Sequence, residues 1–222
     1  MNRPKICAVV TVNDFDLISG VDRFVDLYEI RIDLIGDGWQ DWVGRLQRPW
    51  IATNRLPAAG GKWSGTEPER IGKLIEAVKL GARIIDIELS TKDLDSIIVE
   101  VKKNKVECLI SVHDPAGTPF LNDLAGIVRQ ELAAGADICK VVTTAQRFED
   151  NLTVLRLFES CPDIKLVAFT MGSLGIVSRV LSPMVGGYFT YASIVAGKES
   201  ASGQLTAAYL RSLYEAVKRS HD

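Results

Sequence analysis

Short apolar segments alternate with longer segments of mixed polarity along almost the whole chain. The short segments are rich in β-branched residues, which is typical of strands buried on both faces of a parallel sheet. In the longer segment Glu67–Leu80, the apolar residues Ile71, Leu74, Ile75 and Val78 fall at helical spacing. The predicted strands are Lys5–Val12, Tyr28–Leu34, Trp50–Asn54, Arg83–Leu89, Val106–Val112, Ala136–Thr143, Lys165–Thr170 and Tyr188–Ser193.

A helical segment follows each predicted strand. The first of these segments ends at Phe24. The other seven are Asp41–Gln47, Glu67–Leu80, Leu94–Lys103, Leu121–Ala134, Phe148–Phe158, Ile176–Val185 and Leu205–Lys218. Gly81 and Gly135 end two of the helices just before the next strand. Eight β–α units in 222 residues predict a single α/β domain over residues 1–222, a (β/α)8 TIM barrel. No GxGxxG motif follows the first strand, which disfavours a dinucleotide-binding sheet.

Charged residues interrupt the apolar pattern on strand faces that would point into the barrel. Glu29, Arg31 and Asp33 occupy one face of the second predicted strand, and Asp86 and Glu88 occupy one face of the fourth. A purely structural barrel fills its interior with Val, Ile and Leu. Buried ion pairs, such as Arg31 with Asp86 or Glu88, would explain part of this charge. An active site at the carboxyl ends of the strands explains it better, because barrel enzymes carry their chemistry there.

Lys140 lies in the middle of the sixth predicted strand, where an unpaired ammonium group is costly to bury. The residue is either an inward lysine paired with a carboxylate or a desolvated nucleophile that attacks a carbonyl group. A nucleophilic amine must be uncharged, and burial beside Arg31 and Arg55 would favour the uncharged form. His113, at the end of the fifth strand, suits acid–base chemistry near neutral pH, although its His-Asp-Pro sequence is also typical of a turn.

Two glycine-containing loops follow the last two strands. Met171–Arg179 would either cradle a phosphate or form a turn and a helix entry, and Arg179 is suited to bind a carboxylate in bidentate fashion. Gly197–Leu205 is typical of a mobile loop that closes over a ligand. Ser200 and Gln204 would be its hydrogen-bonding groups.

Composition and charge narrow the class of protein further. The chain is 47% hydrophobic and 24% charged with a net charge of -2, so it lacks the basic stripe that nucleic acid or an anionic membrane requires. It contains no apolar run of membrane-spanning length and no signal-peptide pattern. The four cysteines are scattered, at Cys7, Cys108, Cys139 and Cys161. Without CxxC motifs, and with His113 and His221 as the only histidines, we expect buried cytoplasmic thiols and no metal site.

Seven short motifs together carry a resemblance to a known family. They are YEIRID (Tyr28–Asp33), IATNR (Ile51–Arg55), IDIEL (Ile85–Leu89), ISVHD (Ile110–Asp114), KVVTTA (Lys140–Ala145), MGSLGIVSR (Met171–Arg179) and ASGQ (Ala201–Gln204). In order and spacing they resemble the type I 3-dehydroquinate dehydratases, especially the short archaeal members. The resemblance implies a TIM barrel that converts 3-dehydroquinate into 3-dehydroshikimate and water, in the shikimate pathway to chorismate and the aromatic amino acids. It also implies a cytoplasmic homodimer without metal or organic cofactor, acting on a small molecule.

The resemblance assigns a role to each matching residue. Lys140 would form a Schiff base with the substrate ketone. His113 would remove a proton from the adjacent carbon and then protonate the leaving hydroxyl group. The substrate-binding residues would be Glu29, Ile30, Arg31, Arg55, Arg179, Ser200 and Gln204. The last three would bind the ring carboxylate, whereas Glu29, Arg31 and Arg55 would bind hydroxyl groups.

Ala59 is a departure from the family pattern. Bacterial members commonly carry a glutamate at the matching position, close to the catalytic histidine. With Ala59 here, Glu88 or Asp86 would have to orient His113 instead.

Two other functions remain open from the sequence. A class I aldolase-type barrel also uses a lysine on the sixth strand, but it would need a phosphate cradle, whereas Arg179 with Gln204 suits a carboxylate better. A non-catalytic barrel that binds a small acid as a sensor would require neither Lys140 nor His113.

Overall fold

Eight strands alternate with helices in the computed structural model, which describes residues 3–219 except for the side chain of Arg219. His221 lies outside the described residues. The strands are β1 (Ile6–Val10), β2 (Leu27–Arg31), β3 (Trp50–Thr53), β4 (Ile84–Glu88), β5 (Glu107–His113), β6 (Ile138–Thr144), β7 (Leu166–Met171) and β8 (Thr190–Ser193). The helices are α1 (Phe15–Ser19), α2 (Ile32–Ile35), α3 (Gln40–Val43), α4 (Glu67–Lys79), α5 (Leu94–Lys103), α6 (Leu121–Ala133), α7 (Asp150–Ser160), α8 (Ile176–Leu181) and α9 (Ala207–Arg219).

All neighbouring strands pair in parallel, in the order β7-β6-β5-β4-β3-β2-β1-β8. At the remaining seam, the Tyr188 N–H just before β8 donates to the Leu166 carbonyl oxygen of β7 at 2.8 Å. The eight strands therefore form a nearly closed barrel, and the (β/α)8 prediction is confirmed.

Alternation along each strand divides the side chains into a set that points into the barrel and a set that packs against the helices. On β2 to β6, one inward position is aliphatic: Leu27, Ile51, Ile84, Leu109 and Ile138. Two residues further along each strand, the inward position is polar and buried: Glu29, Thr53, Asp86, Ser111 and Lys140. The barrel interior thus has an aliphatic floor beneath a polar layer, and this layer lies toward the carboxyl ends of the strands.

The second strand ends earlier than the sequence pattern predicts. The prediction extended it over Tyr28–Leu34, but β2 ends at Arg31 and the short helix α2 begins at Ile32. Asp33 is therefore not an inward strand residue. Its carboxylate accepts hydrogen bonds from Arg31 Nε (2.9 Å) and Nη2 (2.7 Å) and from the Lys62 N–H (2.9 Å), and this local pairing holds the turn.

The segment after β7 also differs from its prediction, which was one helix over Ile176–Val185. Helix α8 ends at Leu181, and a separate 3₁₀ turn covers Ser182–Met184. Pro183 has no backbone N–H to donate to the preceding turn, so the α-helical pattern stops there. The long helices α4, α5, α6, α7 and α9 begin and end within two residues of their predicted limits.

Three further observations concern the cysteines, the helices and possible metal ligands. All four cysteines are buried free thiols, as predicted. Within residues 3–219, no helix combines the length and apolar character needed to cross a membrane. In the same part of the chain, no group of three or more His, Cys, Asp and Glu side chains is arranged to hold a metal ion.

Candidate active site

A cavity opens at the carboxyl ends of the strands. Eight of the nine residues predicted from the sequence line it: Glu29, Arg31, Arg55, His113, Lys140, Arg179, Ser200 and Gln204. The ninth, Ile30, does not. It sits between two inward residues of β2, so its side chain points outward and packs in the core between the strands and the helices.

Lys140 projects from the middle of β6 into the base of this cavity and is only 4% exposed. Its Nζ lies 2.8 Å from Asp86 Oδ2 and 3.5 Å from Glu29 Oε1. The ammonium group also sits 4.3 Å from the centroid of the Tyr191 ring, close enough for a cation–π contact. Two carboxylates and an aromatic face therefore surround the amine.

Asp86 is the carboxylate that most of these groups share. It accepts hydrogen bonds from Lys140 Nζ, from Arg55 Nη2 and from Ser111 Oγ, the last at 2.7 Å. Burial alone would raise the pKa of this carboxyl group, but Arg55 and Lys140 hold it well below its usual range. Asp86 is therefore a permanent negative charge beneath Lys140.

These contacts correct two expectations about charge. Arg31 pairs with Asp33 and not with Asp86 or Glu88, because α2 turns Asp33 back toward Arg31. The nearest charges to Lys140 are carboxylates and not the arginines. Lys140 is thus an inward lysine paired with carboxylates, and it also lines the cavity.

His113 ends β5 and stands, half-buried, on the cavity wall. Its burial, with the positive charges of Arg55 and Lys140, lowers the pKa of the imidazole well below its ordinary value, although Asp86 opposes the shift. The ring is therefore uncharged near neutral pH, as a general base must be.

No carboxylate orients the ring of His113 in the described structure. Its Nδ1 is buried and has no hydrogen-bond partner there. Ala59 lines the cavity in the 3₁₀ turn Pro57–Ala59 but offers no polar side chain. Asp86 and Glu88, the expected substitutes, are engaged by arginines instead.

Arg179, on α8, brings an uncompensated charge to the cavity. It is 2% exposed, and its Nε and Nη2 have no hydrogen-bond partner among the described residues. The guanidinium carbon lies 4.2 Å from the Phe169 ring centroid, and burial lowers the pKa of the group to about 10. Buried donors without partners are costly, so an anionic ligand would be strongly favoured here.

The loop after β8 covers the same side of the cavity. Gln204 Oε1 accepts a hydrogen bond from the Ser200 N–H at 2.9 Å, which preorganises these two predicted residues. The loop is tied to the segment after β7, because the Gly172 N–H donates to the Ser202 carbonyl oxygen at 3.3 Å. At Gly203, whose φ is +78°, a Cβ would come within 2.4 Å of the Gly172 oxygen, so the approach requires glycine.

Sequence reasoning did not identify the aromatic part of the site. Tyr191 and Phe169 line the cavity and pack edge to face, with ring centroids 6.0 Å apart. Both lie in strands whose sequence pattern is typical of the ordinary apolar core. The available signal was that both residues occupy inward positions of their strands, as Lys140 does. An inward position alone does not distinguish a residue of a cavity wall from one in a packed interior.

Fold and site together define a (β/α)8 barrel whose cavity holds a buried lysine, a histidine and a buried arginine with two unpartnered nitrogens. Residues 6–221 match the family model described as Type I 3-dehydroquinase. The chain is 42% identical over 217 residues to the 3-dehydroquinate dehydratase of Dehalococcoides mccartyi strain 195, covering 98% of this chain and 97% of that protein. It is 34% identical over 214 residues to the enzyme of the same name from Methanosarcina mazei, covering 90% and 88%.

A solved structure gives the same result. The crystal structure of 3-dehydroquinate dehydratase from Geobacillus kaustophilus superposes with a TM-score of 0.85 at 26% identity, covering 98% of this chain and 92% of that chain. The chain belongs to the type I 3-dehydroquinase family and is thus an enzyme of the hydro-lyase class. This confirms the resemblance seen in the seven motifs and favours it over the aldolase and sensor alternatives.

We predict that His113 makes the free energy of unfolding depend on pH. The unfolded chain binds a proton at His113 near pH ~6.5, but the folded protein does so only at lower pH, so acid favours the unfolded state. Compared with a His113→Asn variant, the wild type should lose stability as the pH falls from 8 to 5, by at most ~1.4 kcal/mol per pH unit. Urea titrations across this range measure the difference, and a difference that does not change with pH would contradict the prediction.

Proposed function

We propose that the protein eliminates water from 3-dehydroquinate to give 3-dehydroshikimate through a Schiff base at Lys140. The observation that carries the proposal is Lys140 itself, a buried amine at the base of a cavity in a barrel of the type I 3-dehydroquinase family. A lysine with only a structural role would not need to face an open cavity. The reaction would belong to the shikimate pathway, which leads to chorismate and the aromatic amino acids.

The charges around Lys140 support an imine intermediate. The amine gives up a proton before it attacks the ketone, and loss of water from the adduct yields an iminium ion. Because ammonium and iminium ions carry the same charge, Asp86 and Glu29 balance both without rearrangement. The Tyr191 ring face attracts either cation as well.

His113 is then the base and acid of the elimination. The iminium ion withdraws electrons and acidifies the neighbouring C–H, from which neutral His113 takes a proton. The resulting imidazolium returns that proton to the leaving hydroxyl group, which departs as water. A second water molecule hydrolyses the imine, releases the product and regenerates Lys140, so the net reaction loses one water.

Arg179 supports a carboxylate on the substrate. It has two unpartnered nitrogens and lines the cavity together with Ser200 and Gln204, so the three residues would bind the ring carboxylate together. Glu29, Arg31 and Arg55, which also line the cavity, would bind the hydroxyl groups. Ile30 would contribute no side-chain contact because it points outward.

Reductive trapping tests the Schiff base. Wild-type protein mixed with 3-dehydroquinate and borohydride should gain the mass of one reduced adduct, which peptide mapping should locate on Lys140. Lys140→Ala should form no adduct and show no turnover. His113→Ala should still form the adduct but stall before elimination. Folded wild-type protein that gives neither an adduct nor 3-dehydroshikimate would overturn the substrate assignment.

A kinetic comparison tests the carboxylate site. Arg179→Gln should raise KM by about 10- to 100-fold, because a charge-assisted bidentate contact contributes ~1.5–3 kcal/mol. Its kcat should fall much less, since Lys140 and His113 keep their surroundings. Arg129→Gln, on the barrel exterior in α6, is the matched control and should leave KM unchanged. An unchanged KM for Arg179→Gln would show that the anion binds elsewhere.

We also propose, from the family resemblance, that the protein is a cytoplasmic homodimer. Sedimentation equilibrium at micromolar concentration should give about twice the monomer mass. A monomer mass across the accessible concentration range would contradict the dimer. Cell fractionation that recovers the protein outside the cytoplasmic fraction would contradict the location.

A further inference from the structure

Arg70, the fourth residue of α4, is completely buried although it does not line the cavity. All five N–H donors of its guanidinium group are used. Nε and Nη2 donate to Glu67 at 2.8 Å each, and Nη2 also donates to Thr91 Oγ1 at 3.0 Å. Nη1 donates to Glu88 Oε2 at 2.7 Å and to the Asn54 carbonyl oxygen at 3.0 Å. The group is thus held rigidly between α4 and the ends of β3 and β4.

The inner contact of Arg70 leads toward the reacting lysine. Glu88 Oε1 lies 3.4 Å from Arg55 Nη1 and accepts a hydrogen bond from the Leu56 N–H at 3.1 Å. Arg55 in turn binds Asp86, and Asp86 binds Lys140. We call the alternating series Arg70, Glu88, Arg55, Asp86, Lys140 and Glu29 the charge ladder.

The charge ladder has no net charge, and its side chains are buried. Its three positive and three negative side chains are each at most 5% exposed. Removing one member of such a network leaves its partner as an uncompensated buried charge. In response, the remaining charged side chains would shift, and those nearest to Lys140 include Arg55 and Asp86.

We propose that Arg70 is a positioning residue, which acts through Glu88 to hold Arg55 and Asp86 in the geometry that Lys140 requires. Asn54 and Thr91, the other inner partners, extend this support to the segments that follow β3 and β4. The proposal rests on the proposed role of Lys140 as the nucleophile. It gives α4, which has no residue in the cavity, a part in the reaction.

The proposal predicts that a substitution of Arg70 lowers kcat and leaves KM nearly unchanged. Arg179, Ser200 and Gln204 lie on other elements, so binding of the substrate carboxylate, the one charged group of the substrate, should change little when Arg70 is altered. Misplacement of reacting groups by about 1 Å can cost on the order of 100-fold in rate. Arg70→Met should therefore lower kcat by about 10- to 100-fold with KM changed by no more than about threefold. Arg70→Lys, which keeps the charge but loses the planar fork, should recover part of the loss.

The matched control is Thr66→Ala, at the N-cap of the same helix. Thr66 and Glu69 form the capping box at the start of α4, outside the charge ladder. Losing the cap should destabilise the protein, as capping substitutions do, but leave kcat unchanged. All rates are expressed per site that borohydride traps, which removes the effect of any unfolded fraction.

The pH profile adds a readout that a purely structural role would not change. The charged groups facing His113 are Arg55, Lys140, Asp86 and Arg31. Arg70→Met leaves the ladder with a net negative charge, which makes protonation of His113 easier. The acid limb of kcat/KM should therefore move to higher pH in Arg70→Met and stay near the wild-type position in Arg70→Lys.

The outcomes separate the two proposals. If wild-type protein forms no adduct with 3-dehydroquinate, the proposed function fails. If the wild type reacts but Arg70→Met keeps both the wild-type kcat per trapped site and the wild-type acid limb, the positioning role is overturned. Where Arg70→Met does not fold, a wild-type kcat per trapped site in Arg70→Lys overturns it. A kcat loss as large in Thr66→Ala would also overturn it, because α4 stability alone would then explain the effect.

Discussion

The contact between Lys140 and Asp86 is the interaction on which the upper half of the barrel depends. A charge placed in a poorly solvated interior needs an opposite charge beside it, and that partner needs its own. Asp86 is therefore shared with Arg55, Arg55 with Glu88, and Glu88 with a residue of α4. The series ends only at Glu67, where the side chain is 35% exposed and water completes its solvation. One buried amine thus requires charged residues from β4, from the segment after β3 and from helix α4.

The period of the strands explains how this polar layer fits into a stable barrel. Side chains two positions apart share a face, so a strand can place an aliphatic residue deep in the barrel and a polar one nearer its carboxyl end. β6 does so with Ile138 and Lys140, and β4 with Ile84 and Asp86. The aliphatic floor keeps water from reaching the ion pairs from below, while the loops supply the opening above.

The sequence was sufficient to predict the barrel and many of the polar residues that line its cavity, because both follow from local patterns. The periods of the strands and helices predict the eight β–α units. Lys140 stands out as a charged residue at an inward strand position, and His113 as a histidine at the end of a strand. Partners were harder to predict, since they depend on strand register and on local turns. Arg31 pairs with Asp33 because β2 stops early, and the side chain of Ile30 points away from the cavity that its charged neighbours line. The place of Tyr191 in the cavity wall was missed, because the pattern of an aromatic residue in a strand is that of the core.

The contact between the loops that follow β7 and β8 affects how a ligand would enter and leave the cavity. The Gly172 N–H and the Ser202 carbonyl oxygen join the loop that carries Gln204 to the segment that leads into α8 and Arg179. Lifting the covering loop breaks this bond and disturbs the approach to the helix that holds the guanidinium group. If the proposed carboxylate site is correct, opening of the loop to solvent and release of the bound acid are therefore coupled through this one hydrogen bond.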